Sequence, residues 1–343
     1  ASIPAVDSAH YRMAVNSGKR IVDMVWHDKT PETILTREAF EDAAAIVLAL
    51  GGSTNALIHL IAIAGRARVA LTLDDFDAIS RRVPWLANIR PSGEYLMEDF
   101  YYAGGLPALL AQLATVPGAL HQSVPGHPVY HEDVIRTPDT ALATEAGIAV
   151  LRGNLAPDGA VIKHIAAEPR LLKHTGPAVV FDDYADLKKR VNDPSLIITP
   201  DSVMVLRNTG PKGAGMPEYG QLPIPDYLLA RGVRDMVRIS DARMSGTSYG
   251  ACVLHVAPEA AVGGPLALVE TGDLITLDVR ARVLSLDVPE RTVAARRASW
   301  TPPEQRYGRG YGALYSEHIT QANEGCDFGF LARPGASPDP DPQ

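Results

Sequence analysis

A break in texture near Pro117-Gly118 constrains this chain more than any other feature of its sequence. Upstream of it, apolar residues recur at helical spacing; downstream, short runs of β-branched residues alternate with turn chemistry. Ser8 or Asp7 can cap a helix carrying Met13, Val15, Ile21, Val22 and Met24 to Trp26. Thr36 precedes a strong helix that reaches Leu50 and stops at Gly51-Gly52. Ala56 to Ala64 is apolar nearly all round, which predicts a helix central to its domain. Thr72 with Asp74-Asp75 starts another, ending near Val83-Pro84, and Met97 to Leu113, interrupted at Gly104-Gly105, supplies one or two more.

Residues 121–138 hold Pro125, Gly126, Pro128 and Pro138 with little periodicity, as a connecting loop would. Strand-type runs follow at Ile148 to Leu151, Ala160 to Ile162, Ala178 to Phe181, Val203 to Leu206, Leu266 to Val269, Leu274 to Val279 and Val283 to Val288. Between the first two, Gly153-Asn-Leu-Ala-Pro-Asp-Gly159 is hairpin chemistry with a long loop. Short helices are predicted from Tyr184 to Val191 and from Pro289 to Ser299. The fold class expected is α/β. A mainly helical α/β first domain, truncated at its start, covers 1–135 with the linker; a β-rich second domain covers 136–332; and 333–343, rich in proline, is a disordered tail.

A chain of 343 residues is long enough for two domains with a real core. Its formal net charge of -8 leaves no broad basic face, which argues against nucleic acid as a partner. Cys252 and Cys326 are too few for a disulfide framework, which favours the cytoplasm. No apolar run approaches the roughly 20 residues that span a bilayer, and Ala1-Ser-Ile-Pro does not open a signal peptide.

The chemistry concentrates in Met236 to Gly250, an apolar run that breaks into Ser240-Asp-Ala-Arg-Met-Ser-Gly-Thr-Ser248. Met236 to Ile239 reads as a buried strand, and Gly246 and Gly250 allow close backbone approaches, so Ser245 stands at a strand end with Thr247 and Ser248 beside it. A plain capping hydroxyl is the competing reading. A serine hydrolase would need Gly-x-Ser-x-Gly, which Arg-Met-Ser-Gly-Thr does not supply, and His255 is expected in a helix. Gly210 to Gly220 lacks the closing Gly-Lys-Ser/Thr of a phosphate-binding loop. Its Glu218 is either a solvated carboxylate or one ligand of a hard cation such as magnesium. Gly51-Gly-Ser-Thr-Asn55 is either a helix stop and start or an anion site for a substrate carboxylate. His121, His127 and His131 match no zinc spacing and suit a surface loop.

Together these segments resemble the dihydroxy-acid and sugar-acid dehydratase family. The motifs are Gly51-Gly-Ser-Thr-Asn-Ala56, Tyr95-Leu-Met-Glu-Asp-Phe100 with Ala103-Gly-Gly105, Gly153 to Gly159, Gly215-Met-Pro-Glu218, Ser240 to Gly246 and His255 to Pro265, in the family's order. Asp241-Ala-Arg-Met-Ser-Gly-Thr247 is more similar to the sugar-acid (aldonate) branch than to the branched-chain amino-acid branch. The resemblance implies a barrel-like second domain, with the active site between the domains. It also implies a hydro-lyase that turns a 2,3-dihydroxy acid, such as a pentonate or hexonate, into a 2-keto-3-deoxy acid. By motif position Ser245 is the base for the C2 proton, Thr247 a substrate-positioning hydroxyl and Glu218 a magnesium ligand. An iron–sulfur cluster, commonly 2Fe-2S, accepts the 3-hydroxyl in that family, and a cytoplasmic homo-oligomer, dimer or tetramer, is expected.

The family's cluster cysteines and remaining magnesium ligands lie in an N-terminal region with no counterpart here, so no cluster ligand is expected on this chain; Cys252 and Cys326 fall in other motifs. Two alternatives stay open at this point: dihydroxy-acid dehydration in branched-chain amino-acid synthesis, and a non-catalytic fragment lacking the cluster.

Overall fold

The computed structural model describes residues 2–331, so the tail expected over 333–343 lies outside them. Six helices come first: α1 (Ser8–Trp26), α2 (Arg37–Leu50), α3 (Asn55–Arg66), α4 (Leu73–Arg82), α5 (Met97–Tyr102) and α6 (Gly105–Leu113). Local chemistry sets their ends. Thr36 Oγ1 accepts from Ala39 N–H at 3.3 Å to start α2, and Gly51 ends it in the left-handed region at φ 63°. A side chain at Gly51 would also collide with Ile165, 2.6 Å from the Cβ position. Asp75 accepts from Thr72 N–H at 2.7 Å and starts α4. The apolar faces of α2, α3, α4 and α6 meet through Phe40, Leu48, Leu57, Phe76 and Leu109. Helix α1 buries none of its residues.

The remainder is organised by strands β1 (Ala149–Gly153), β2 (Ala156–Ile162), β3 (Lys173–Phe181), β4 (Val203–Leu206), β5 (Glu218–Tyr219), β6 (Arg238–Ser240), β7 (Arg243–Met244), β8 (Cys252–Ala257), β9 (Leu274–Asp278) and β10 (Val283–Leu286). All but β5 and β7 close a barrel in the order β1-β10-β9-β3-β4-β6-β8-β2. Its ladders are mixed. The run β3, β4, β6, β8 is parallel, whereas β2 lies antiparallel between β1 and β8. Alternation assigns the two faces. Val203 and Val205 of β4 join a cluster drawn from all eight barrel strands, the barrel interior. Met204 and Leu206 point the other way and join the helical core. Thus the barrel's outer surface is the floor on which the helices pack, and the fold is α/β with a helical layer and a barrel-like second layer. Short helices α7 (Tyr184–Arg190), α8 (Pro211–Ala214), α9 (Asp226–Ala230), α10 (Glu290–Ser299) and α11 (Gly310–His318) decorate it.

Two expectations are corrected. The long loop expected between the first two strands is a connection through Asn154-Leu155 only. Its turn is closed by Asn154, whose side chain donates to the Leu286 carbonyl at 2.9 Å and accepts from Leu286 N–H at 2.7 Å, so strand pairing extends further than propensity suggests. Leu266 to Val269 is not a strand but the 3-10 turn Pro265–Leu268. Pro265 fixes φ at the first position of the turn, and Ala267 N–H donates back to Gly264 O at 2.9 Å.

One buried ion pair underlies the junction of β6, β8 and the segment between them. Arg238 Nη2 lies 3.1 Å from Asp235 Oδ1, and both side chains are shut away from water. Substituting Arg238→Met leaves the Asp235 carboxylate buried without its cation and is expected to cost about 3–5 kcal/mol. Urea unfolding measures this; a loss below about 1 kcal/mol would show that the pair does not organise the junction.

Candidate active site

The site is assembled around a miniature sheet. β5 runs parallel to β7, setting Glu218 opposite Arg243 and Tyr219 opposite Met244. The pairing continues one residue further, with Ser245 N–H donating to Tyr219 O at 2.9 Å. Chain direction then reverses in a tight turn, closed by Ser248 N–H to Ser245 O at 3.0 Å. Ser248 Oγ donates to Gly220 O at 2.6 Å and pins the far side. Ser245 therefore stands at the end of a strand, β7, that follows the expected one by a short connection. Its Oγ shares a hydrogen bond of 2.9 Å with Thr247 Oγ1.

The helical layer reaches the same turn through the Gly51 to Asn55 segment. Ser53 packs so closely on Gly246 that a Cβ there would lie 2.7 Å from Ser53 Cβ. Asn55 Nδ2 donates to Glu218 Oε1 at 3.1 Å and to Met244 O at 3.3 Å. Asn55 N–H in turn donates to Ser53 Oγ at 3.2 Å. Glu218 and the Ser245 to Thr247 turn thus meet at the first turn of α3. Asn55 is the residue that joins them; it lies in the segment expected as a helix start or an anion site, a pattern that carries no sign of its bonds to Glu218 and Met244.

Lys163 is a residue that sequence reasoning misses. It follows β2, is half-buried, and brings Nζ to 3.5 Å from the Gly246 carbonyl oxygen. Burial pulls its amine down to about 8. The sequence signal was only a lysine ending the apolar run Ala160-Val-Ile162.

The buried acids near the site are committed to the backbone. Asp241, fully buried, accepts from Thr209 N–H, Thr209 Oγ1 and Ala260 N–H at 2.8–2.9 Å. Burial pushes its carboxyl up, partly offset by those donors. Glu259 accepts from Lys212 and Gly213 N–H at 2.9 Å and from Gln321 Nε2 at 2.7 Å, and burial raises it too. The glycine-rich segment after Gly210 already holds an internal carboxylate on its amides, consistent with the absence of phosphate-loop chemistry. His121 bridges Glu41 and Asp42, each at 3.0 Å, tying the linker to α2.

His255 is not in a helix. It lies in β8 at a register shift against β2, with φ 59° and its N–H donating to Ala242 O at 3.0 Å. Extension continues because Val253 and Val256 fill the barrel interior on either side of the irregularity. Its ring is buried, Nε2 has no hydrogen-bond partner, and burial drives its pKa down to about 3.

The described residues do not fit an iron–sulfur cluster. Cluster iron needs several thiolates, whereas Cys252 and Cys326 are the two cysteines, and burial pushes their thiols up to about 11 and about 12. Among the described residues no group of three or more His, Cys, Asp or Glu could hold a metal ion. Glu218 offers one carboxylate, less than the oxygen shell that magnesium requires.

Residues 1–128 match the dihydroxy-acid/6-phosphogluconate dehydratase N-terminal family model, and residues 133–326 match its C-terminal counterpart. The chain belongs to this family. It is similar to a 6-deoxy-6-sulfo-D-gluconate dehydratase of Pseudomonas putida, 54% identical across 99% of this chain and 61% of that protein. An L-arabinonate dehydratase of Rhizobium leguminosarum bv. trifolii is 50% identical over 96% of this chain and 59% of its own length. A dihydroxy-acid dehydratase of Thermodesulfovibrio yellowstonii is more distant, 40% identical over 95% of this chain and 60% of its own. The chain therefore spans about three fifths of the length of these relatives, with identity higher to the sugar-acid enzymes.

His255 yields a pH prediction. The unfolded chain takes up a proton near pH 6.5 and the folded ring only near 3, so wild-type stability falls as pH drops through that window. His255→Asn, which tolerates positive φ, should remove up to about 1.4 kcal/mol per pH unit of that slope. Urea midpoints between pH 7 and 4 provide the measurement, and identical slopes would contradict a neutral buried His255.

Proposed function

We propose that this chain is the part of a sugar-acid dehydratase that carries the base for C2-proton removal. Such an enzyme converts a 2,3-dihydroxy acid, a pentonate or hexonate, to a 2-keto-3-deoxy acid and water. The observation that supports this most is the convergence of Ser245, Thr247 and Glu218 at the first turn of α3. The higher identity to the sulfogluconate and arabinonate dehydratases than to the dihydroxy-acid dehydratases supports the sugar-acid branch over branched-chain substrates.

The chemistry asks for a base beside a weak carbon acid. When the C2–H bond breaks, its electrons spread onto the adjacent carboxylate, and Ser245 Oγ takes the proton. A free serine is a poor base, so its deprotonated form needs neighbouring positive charge and hydrogen-bond donors. Thr247 can donate to Ser245 Oγ over their 2.9 Å contact. The half-buried Lys163 and the backbone amides at the start of α3 add positive potential nearby. We assign Glu218 to magnesium, since Asn55 anchors Oε1 and no hydrogen bond to Oε2 is formed among the described residues. Magnesium would stabilise the developing negative charge on the substrate, and the iron–sulfur cluster proposed for the whole enzyme would have to draw its ligands from elsewhere than the described residues.

No described helix is long and apolar enough to cross a membrane. Two free cysteines support a reducing cytoplasm as the setting, and a homo-oligomer is proposed as the working state.

The test is anaerobic assay of the holoenzyme with pentonates, hexonates and a dihydroxyisovalerate in the presence of magnesium. A 2-keto-3-deoxy product from a sugar acid is expected, with Ser245→Ala lowering kcat by about 10³-fold or more. Full activity in that variant, or activity on the branched-chain acid alone, would overturn the reading.

A further inference from the structure

Lys163 is placed by two backbone strips that run against each other. Gly250 N–H donates to Ala166 O at 2.9 Å, and four residues back along the turn Lys163 Nζ comes to 3.5 Å from Gly246 O. Lys163, Thr54, Ser245, Gly246 and Ser248 line one narrow cleft. Among the described residues no carboxylate stands within ion-pair distance of the ammonium, and burial alone perturbs it. A cation half-withdrawn from water without a counter-ion is costly, and the cost falls when a negative charge arises beside it. In this cleft the group that the proposed reaction makes negative is the Ser245 hydroxyl, the Cys252 thiol beside it being buried and held protonated to about 11.

We propose that Lys163 is a positioning residue for proton removal, holding the Ser245 turn through the Gly246 carbonyl and supplying the positive charge that favours the deprotonated Ser245 hydroxyl. This rests on Ser245 being the base. Lys163 keeps its own proton throughout: the C2 proton passes to Ser245 Oγ, and the C2–H electron pair stays with the substrate. The other titratable groups on the surrounding elements have partners or remain neutral. Asp235 and Arg238 pair with each other, His164 bonds to Ala146 O at 2.8 Å, and the Cys252 thiol stays protonated to about 11. Glu218 accepts from Asn55, Arg243 Nε donates to Met216 O at 2.9 Å, and Glu168 pairs with Arg170. Lys163 is thus the cation on these elements that loses its charge near pH 8.

The test compares Lys163→Met, Lys163→Arg and Ser245→Ala in the holoenzyme, with circular dichroism as the check on folding. Lys163→Met should lower kcat by about 100-fold while changing KM by less than about threefold. Lys163→Arg should restore most of kcat and move the alkaline limb of the pH profile up by at least about one unit, because a guanidinium stays charged. Competitive acetylation of the folded chain gives a readout apart from activity, with Lys163 expected to titrate near 8. A Lys163→Met enzyme within about tenfold of wild-type kcat, beside an inactive Ser245→Ala enzyme, overturns the role of Lys163 and leaves that of Ser245 standing. Activity in Ser245→Ala overturns both. Should Lys163→Met fail to fold, an unmoved alkaline limb in Lys163→Arg overturns the proposal.

Discussion

Asp235 and Arg238 form an ion pair with side chains 0% and 1% exposed, and the position of the Ser245 turn follows from how that pair is satisfied. The carboxylate also accepts from Met236, Ala251 and Glu168 N–H groups. The guanidinium donates to the carbonyls of Leu222 and Tyr249 at 2.8 and 3.0 Å. Four stretches of backbone, at Glu168, Leu222, Met236 and Tyr249 to Ala251, are thereby fixed to two side chains, at a place where neither charge could stand alone. Gly250 shows how tight the arrangement is. It adopts φ 108°, and a Cβ on it would overlap Arg238 Nη2 and Asp235 Oδ1. The chain from Ser245 to Ala251 is laid over the pair and held down at both ends.

Onto that support the helical layer adds the other half of the site. Ser53 closes on Gly246, and Asn55 ties Glu218 to the end of β7. The distribution of charge then separates structure from chemistry. Asp241 and Glu259, the buried acids of the neighbouring motifs, spend their oxygens on backbone amides. Glu218, Ser245 and Thr247 remain partly open to solvent, where a substrate can reach them. Lys163 sits at the edge of this open group. Among the described residues it has no carboxylate within ion-pair distance, and its Nζ lies 3.5 Å from the Gly246 carbonyl oxygen.

Much of this was readable from the amino acids because local rules and tertiary packing agreed. Thr36 and Gly51 bound α2 as capping chemistry requires, and Val203 to Leu206 is a strand buried on both faces, as an unbroken apolar run suggests. Ser245 and Glu218 were legible as candidates through motif resemblance. Their geometry was not, since β5 and β7 are two residues long and exist only because each pairs with the other. His255, expected in a helix, lies instead in β8, where the irregularity comes from positive φ at a residue whose neighbours carry no such signal. The bonds of Asn55, which the sequence shows only as part of a candidate anion segment, and the place of Lys163, which it does not show at all, escape sequence reading for a related reason. Their roles depend on partners 163 and 83 residues away, a separation that periodicity and capping rules do not see.

The claim at the centre is that Ser245, presented by this junction, removes the C2 proton of a sugar acid. The most direct measurement is the isotope effect on kcat/KM with a C2-deuterated pentonate or hexonate in the holoenzyme. A primary effect is expected, with Ser245→Ala abolishing both turnover and exchange of the C2 position with solvent. Undiminished C2 exchange in the Ser245→Ala enzyme would contradict the claim, because another group would then be taking the proton.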